Sequence, residues 1–338
     1  MKVIEVSDWS FDGLRAAERP EPEPGPGEVV LEMKAASLNY RDFLMVQGGY
    51  GSVGGGLPLI PISDGVGEVV AVGDGVSRVR VGERVNPTFF QSWIDGPPSA
   101  EHFSRPLGGP LDGVMQQRMC LPEAGVVAVP EHLSDAEAAS LPCAGLTAWS
   151  AVVTQGHLRP GDWVLVQGTG GVSIFALLFA KMHGAQVIAT SSSDEKLEKV
   201  RALGADHLIN YARTPDWGKQ ALALTGGRGV DLVVEVGGAG TLKESVRAVR
   251  VGGTIAMIGV LAGGRSDSFN IGLVVMSNKR LQGVTVGSRA MHEEMCRAMA
   301  AHGTPVPVDE TVYGFDDLRA ALEAMPGGRH FGKIALAF

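Results

Sequence analysis

The spacing of apolar residues changes character near Pro130. Before it, apolar positions come in short runs broken by turn residues. Pro20, Pro22, Pro24 and Pro26 alternate with charged residues or glycine, a composition that predicts a loop. Val29-Val30-Leu31-Glu32-Met33 predicts a strand, and 65–72 predicts another, closed by the turn Gly73-Asp74-Gly75. The segment 89–113, rich in Gly, Pro and aromatics, predicts a long loop, and loops of that length in compact domains are usually functional. After Pro130, Ser134-Asp135-Ala136-Glu137 has the spacing of a capped helix start. Strands are then predicted at 163–167, 186–190, 207–209, 231–235, 254–259 and 281–286, with helices at 171–183, 194–203 and 241–249. This alternation implies right-handed crossovers and a doubly wound, six-stranded parallel sheet in an α/β fold. Helices at 293–302 and 315–325 and a strand at 331–338 break the alternation, so the chain is expected to end in the first domain.

Bulk properties narrow the field. The 338 residues are long for one core, so two domains are expected. Hydrophobic residues make up 45%, which excludes a disordered chain, and a net charge of −8 leaves no basic face for nucleic acid or anionic lipid. The three cysteines, Cys120, Cys143 and Cys296, build neither a disulfide framework nor a CxxC knuckle. The most apolar stretch, 172–180, is about half of what a bilayer needs, and Glu5 interrupts the start of any signal sequence. A soluble, cytoplasmic protein acting on a small molecule is the expectation.

The strongest chemical signal is 164–173, Val-Leu-Val-Gln-Gly-Thr-Gly-Gly-Val-Ser, which runs from a buried strand into an apolar helix. Gly168, Thr169, Gly170, Gly171 and Val172 would bring backbone N–H groups to a pyrophosphate at the helix N-terminus. Ser173 replaces the third fingerprint glycine. An NAD site needs a carboxylate at the end of the next strand to hold the ribose diol. That strand ends instead in Ser191-Ser192-Ser193, with Lys196 beyond, which favours NADPH. The competing reading is that Ser193 caps the next helix and Lys196 is a solvated side chain; Asp194 and Glu195 weigh against a phosphate.

The chain resembles the medium-chain dehydrogenase/reductase superfamily, and within it the zinc-free quinone oxidoreductase-like branch. The resemblance rests on Ser37-Leu38-Asn39-Tyr40-Arg41-Asp42, Asp64-Gly65-Val66-Gly67-Glu68-Val69, the segment 141–149, the glycine turn and Gly332-Lys333-Ile334, and it spans essentially the whole chain. It implies a GroES-like β-rich catalytic domain (1–128 and 289–338), a Rossmann NADPH-binding domain (129–288) and an active site in the cleft between them. It further implies that Lys333 contacts the pyrophosphate, that Ile258, Val260 and Val286 hold the nicotinamide, and that Lys196 and Tyr211 meet the 2′-phosphate.

Zinc-containing relatives use Cys, His with a neighbouring Glu, and a second Cys or Asp. The matching positions here are Asn39, Ser63, Asp64 and Cys143, of which only Cys143 is a good ligand. No cysteine occurs in 89–113 to bind a structural zinc, so no metal site is expected. Cys143 is read as a small buried residue, and His102 and His132 as surface residues. Without a Lewis acid, hydride must go to an already activated acceptor such as an enone, enal or quinone, whose enolate oxygen needs donors. Tyr50, Tyr40 and Asn39 are the catalytic candidates, with the alternative that the tyrosines only wall the pocket. Ser63 and Asp64 stand second. A metal-free carbonyl reductase or alcohol dehydrogenase, and a non-catalytic NADPH-binding protein, remain open alternatives. Phe89, Phe90 and Trp93 would shape a pocket for apolar or aromatic ligands or else anchor a loop. An edge strand at 281–286 predicts a homodimer.

Overall fold

The computed structural model describes residues 1–265 and 269–338. The chain divides into two compact units, Met1–Leu146 with Val286–Phe338, and Thr147–Thr285. In chain order the first unit opens with β1 (Lys2–Val6), β2 (Leu14–Glu18), β3 (Glu28–Ser37), α1 (Tyr40–Val46), β4 (Asp64–Val72), β5 (Arg84–Pro87), β6 (Arg118–Pro122), β7 (Val126–Ala128) and α2 (Asp135–Ala138). A wide helical turn at Leu141–Gly145 leads into α3 (Leu146–Trp149). The second unit holds β8 (Trp163–Gln167), α4 (Gly171–Met182), β9 (Gln186–Ser191), α5 (Asp194–Ala202), β10 (His207–Asn210), α6 (Trp217–Leu224), β11 (Val230–Glu235), α7 (Leu242–Ala248), β12 (Val249–Met257), α8 (Ile271–Met276) and β13 (Arg280–Gly283). The chain then returns to the first unit with α9 (Arg289–His302), β14 (Val308–Gly314), α10 (Leu318–Ala324) and β15 (Lys333–Ala337).

In the first unit, a sheet in the order β14-β15-β3-β4-β5-β7, with β6 on β3, surrounds a core that includes Leu31, Val69, Val85, Met115 and Leu336. Strand β3 organises it. Its register sets Ser37 opposite both Asp64 of β4 and Ala335 of β15. One end of the sheet therefore gathers Asn39, Asp64 and Lys333 from three distant stretches of sequence.

The second unit is a parallel sheet in the order β10-β9-β8-β11-β12-β13, the doubly wound arrangement expected from the alternation. Every residue of α4 from Ser173 to Ala180 is buried, which explains why this helix carries no polar face. The sixth strand is shorter than the apolar pattern predicts, ending at Gly283 rather than 286. Val284 and Val286 are still buried, but Val286 has φ +53, which no strand accommodates. Helices α1, α6 and α8 have no counterpart in the apolar pattern. Among the described residues no helix is long and apolar enough to cross a membrane.

Candidate functional site

Strand β8 delivers Gln167 to the glycine turn. Gly168 has φ +72, a conformation that favours glycine, and its N–H bonds the Thr190 carbonyl at 2.8 Å. A Cβ added at Gly168 or Gly170 would meet nothing within 4 Å, so the turn faces open space that a side chain would begin to fill. The replacement of the third fingerprint glycine has a local reason: the buried Ser173 hydroxyl donates to the Gln167 carbonyl at 2.6 Å and ties the first turn of α4 to β8. With N–H groups exposed at the start of a twelve-residue helix, this turn fits a dinucleotide pyrophosphate.

A buried hub that the sequence reading missed supports the turn. Gln167 Nε2 donates to Glu235 and to Ser245, both at 2.7 Å, while its Oε1 accepts from the N–H groups of Val236 and Gly237. The fully buried Glu235 carboxylate also accepts from Gly237, Gly238, Thr241 and Ser245. Ile258 N–H bonds the Glu235 carbonyl, and Gly259 passes so close that an added Cβ would sit 2.2 Å from the Val236 carbonyl oxygen. Val260 then stands exposed beside this loop. The signal was a polar residue at the end of each of two buried strands.

At the end of β9, Ser191 is buried and its hydroxyl accepts from Ser193 N–H, while Ser192 is exposed. Ser193 caps α5 by accepting from Lys196 N–H, so the capping reading of that serine holds. Tyr211 N–H bonds the Ser191 carbonyl, which holds its backbone beside the end of β9, and its side chain is half-exposed. Asp194, the acid that weighed against a phosphate, accepts from Asn210 at 2.8 Å and pairs with Arg213 at 2.6 Å. Arg213 escaped the sequence reading because it lies beyond the strand.

In the first unit, Asn39, Ser63, Asp64 and Cys143 come together as expected of matching positions, but they bond one another. Lys333 Nζ donates to the Leu38 carbonyl at 2.7 Å and to Asn39 Oδ1 at 2.6 Å. An ammonium can only donate, so this contact fixes which end of the amide is oxygen. Asn39 Nδ2 then donates to Ser63 Oγ at 3.3 Å, Ser63 Oγ to Asp64 Oδ1 at 2.9 Å, and Cys143 N–H to Asp64 Oδ2 at 2.9 Å. Asp42, also buried, accepts from the N–H groups of Asn39 and Ser63 and lies 3.6 Å from Arg41. Two cations and two carboxylates thus balance. Burial pushes Asp42 up to about 6, helped by Asp64 and opposed by Arg41, Asn39 N–H and Lys333. Burial raises Asp64 as well, against Lys333 and the Asn39, Ser63 and Cys143 donors. The Cys143 thiol is pushed up by burial and by Asp64, which disfavours the thiolate a metal needs.

The Lys333 ammonium is buried, with the residue 3% exposed, and its hydrogen bonds go to Leu38 and Asn39. The donor set does not fit zinc. Asn and Ser are poor ligands, the thiol is held protonated, and each oxygen of Asp64 already accepts a hydrogen bond, from Ser63 and from Cys143 N–H. Among the described residues no three His, Cys, Asp or Glu side chains form a metal-binding group.

Tyr40 and Tyr50 are 42% and 39% exposed. Tyr40 starts α1 and stacks on Phe43, while the Arg41 guanidinium lies 5.6 Å from the Tyr50 ring and 4.9 Å from that of Phe89. Arg41, unassigned by the sequence, also donates to the carbonyls of Leu107 and Gly109, tying the long loop to α1. Phe89, Phe90 and Trp93 are buried against one another, so they anchor the loop, and the inference of an aromatic ligand loses their support. His102 is half-buried and stacks on Trp93 rather than lying at the surface; His132 is exposed, its Nε2 3.0 Å from the Thr304 carbonyl.

Residues 25–131 match the alcohol dehydrogenase GroES-like domain and residues 171–301 the zinc-binding dehydrogenase family. The chain is 42% identical to a zinc-type alcohol dehydrogenase-like protein of Schizosaccharomyces pombe, over 99% of this chain and 98% of that one. A Sinorhizobium meliloti 1021 structure of the alcohol dehydrogenase class superposes with a TM-score of 0.93 at 43% identity, over 100% and 98% of the two chains. A quinone oxidoreductase from Pseudomonas syringae pv. Tomato DC3000 gives 0.83 at 28% identity, over 100% and 99%.

Proposed function

The chain belongs to the medium-chain dehydrogenase/reductase superfamily of oxidoreductases, whose fold binds a nicotinamide cofactor, and from that premise we propose an NADPH-dependent reductase that needs no zinc. Its acceptor is an activated C=C bond, as in an enone or enal, or a quinone ring. The observation that carries this reading is the Lys333–Asn39–Ser63–Asp64 chain, which uses up the positions where relatives hold a metal. A carbonyl or alcohol substrate gains most from a Lewis acid, whereas a conjugated acceptor is already polarised.

Gly168, Thr169, Gly170, Gly171 and Val172 hold the pyrophosphate, Ile258, Val260 and Val286 border the nicotinamide, and Ser191, Ser192, Lys196 and Tyr211 receive the 2′-phosphate. The pairing of Asp194 with Arg213 supports the phosphate by neutralising the nearest acid. Bound nicotinamide supplies the hydride. The protein supplies donors for the oxygen that gains charge: the second Nδ2 N–H of Asn39, whose amide is polarised by Lys333, and the hydroxyls of Tyr40 and Tyr50. Either tyrosine can deliver the proton.

The test follows absorbance at 340 nm on chelator-treated protein with NADPH or NADH and a panel of quinones, 2-alkenals, enoyl-CoA esters and simple ketones. Turnover of enals or quinones with NADPH, reduced at least about tenfold by Tyr50→Phe or Tyr40→Phe, supports the reading. Loss on chelation with recovery on adding zinc overturns it, and turnover of ketones alone moves the assignment to a metal-free carbonyl reductase.

The working unit is a homodimer. Helix α8 buries no residue and leaves Ile271, Leu273, Val275 and Met276 more than half exposed, directly before edge strand β13. An apolar helix beside an open edge needs cover.

A further inference from the structure

The amino-terminal edge of the parallel sheet carries a cavity of about 360 Å³ that nothing in the hydride-transfer reading uses. Its chemistry is concentrated. Arg159, Arg228, Arg250 and Arg280 line it together with Asp162 and Asp231, an excess of two positive charges in a chain whose net charge is −8. The register explains the convergence: Val164, Leu232, Thr254 and Arg280 lie side by side across β8, β11, β12 and β13, so the residues just before them crowd one rim.

The charges are not equally engaged. The buried Asp231 accepts two bonds from Arg228, one from Arg250 and one from Trp163 N–H, so those two arginines serve one carboxylate. The Asp162 carboxylate accepts from the backbone N–H of Arg159. Arg280 spends Nε on Thr254 Oγ1 at 3.1 Å, and among the described residues its terminal N–H groups make no hydrogen bond. Among the described residues neither Arg159 nor Arg280 has an ion-pair partner. Arginines at a sheet's amino edge also complement helix C-termini, but that role asks for no convergence on a cavity.

We propose that this cavity is a binding site for a small polyvalent oxyanion, of the kind carried by a phosphoryl group, held between the guanidinium groups of Arg159 and Arg280. Guanidinium forks match phosphate oxygens in geometry as well as charge. The size suits a compact ligand. The site is separate from the coenzyme turn, which follows the opposite end of β8, roughly 13 Å along the strand.

Titration calorimetry of the full chain with inorganic pyrophosphate, and separately with citrate, at low ionic strength tests this. With NADPH present to occupy the coenzyme turn, one equivalent should bind, and an Arg159→Gln/Arg280→Gln double variant should weaken it by about tenfold or more. Both side chains are exposed, so the variant should fold, and retained coenzyme binding would verify that. Gly168→Ala, which perturbs the coenzyme turn, should leave pyrophosphate affinity unchanged. Tighter binding of pyrophosphate than citrate supports the phosphoryl assignment; the reverse overturns that assignment in favour of a polycarboxylate. No saturable binding, or binding lost in Gly168→Ala and kept in the double variant, overturns the site altogether.

Discussion

Asp42 shows how a single buried carboxyl reports on its surroundings. With its folded pKa raised to about 6 from 3.8, the folded protein holds this proton more tightly than the unfolded chain. Its contribution to stability is therefore fully present below about pH 4 and is lost as pH rises through about 6, on the order of 2–3 kcal/mol at most. Asp42→Asn cannot titrate. Denaturant unfolding of both proteins from pH 4 to pH 7 should show the variant gaining on the parent as pH rises. A stability difference that stays constant across that range would mean the Asp42 carboxyl is not perturbed. Lys333 acts at the same scale: two hydrogen bonds from one ammonium set the orientation of the amide that faces Ser63.

At the level of elements, β8, the glycine turn and α4 form the unit on which the proposed coenzyme site rests. Gly168 has φ +72 with open space where a Cβ would go, so Gly168→Ala meets backbone strain rather than a clash inside the fold. Strain of that kind costs about 1–2 kcal/mol. The added methyl would also enter the open space proposed for the pyrophosphate. The expected outcome is a small fall in melting temperature with at least about a tenfold rise in coenzyme Kd, measured by nicotinamide fluorescence. Unchanged affinity would remove this turn from the coenzyme site. The same elements were the most legible in the sequence, because a buried strand running into a glycine turn and an apolar helix is a local pattern. Helix α6 was not legible: its short stretch carries only Trp217, Gly218 and Ala221 as buried residues.

For the whole molecule, the exposed apolar face of α8 before edge strand β13 makes assembly the property to measure. Light scattering should give twice the 35.4 kDa chain mass, and Leu273→Asp with Val275→Asp should shift it to the monomer. A parent protein that scatters as a monomer would sink the dimer. The long aromatic loop also belongs to this scale. Its composition predicted function, yet its aromatics are buried against one another and Arg41 ties it to α1.

The sequence by itself determined the α/β class, the parallel sheet with its glycine turn and the poor metal donors at 39 and 63, because each depends on residues close together or on residue type alone. Only the tertiary structure decided what Lys333, Glu235, Arg41 and the arginines of the amino-terminal edge do. Most of their partners lie far along the chain: Lys333 reaches Asn39 across 294 positions of sequence, Arg41 reaches Leu107 across 66, and Gln167 reaches Glu235 across 68. No local pattern encodes such contacts. They arise from strand register, which brings distant residues to one end of a sheet and leaves burial to determine which charges must pair.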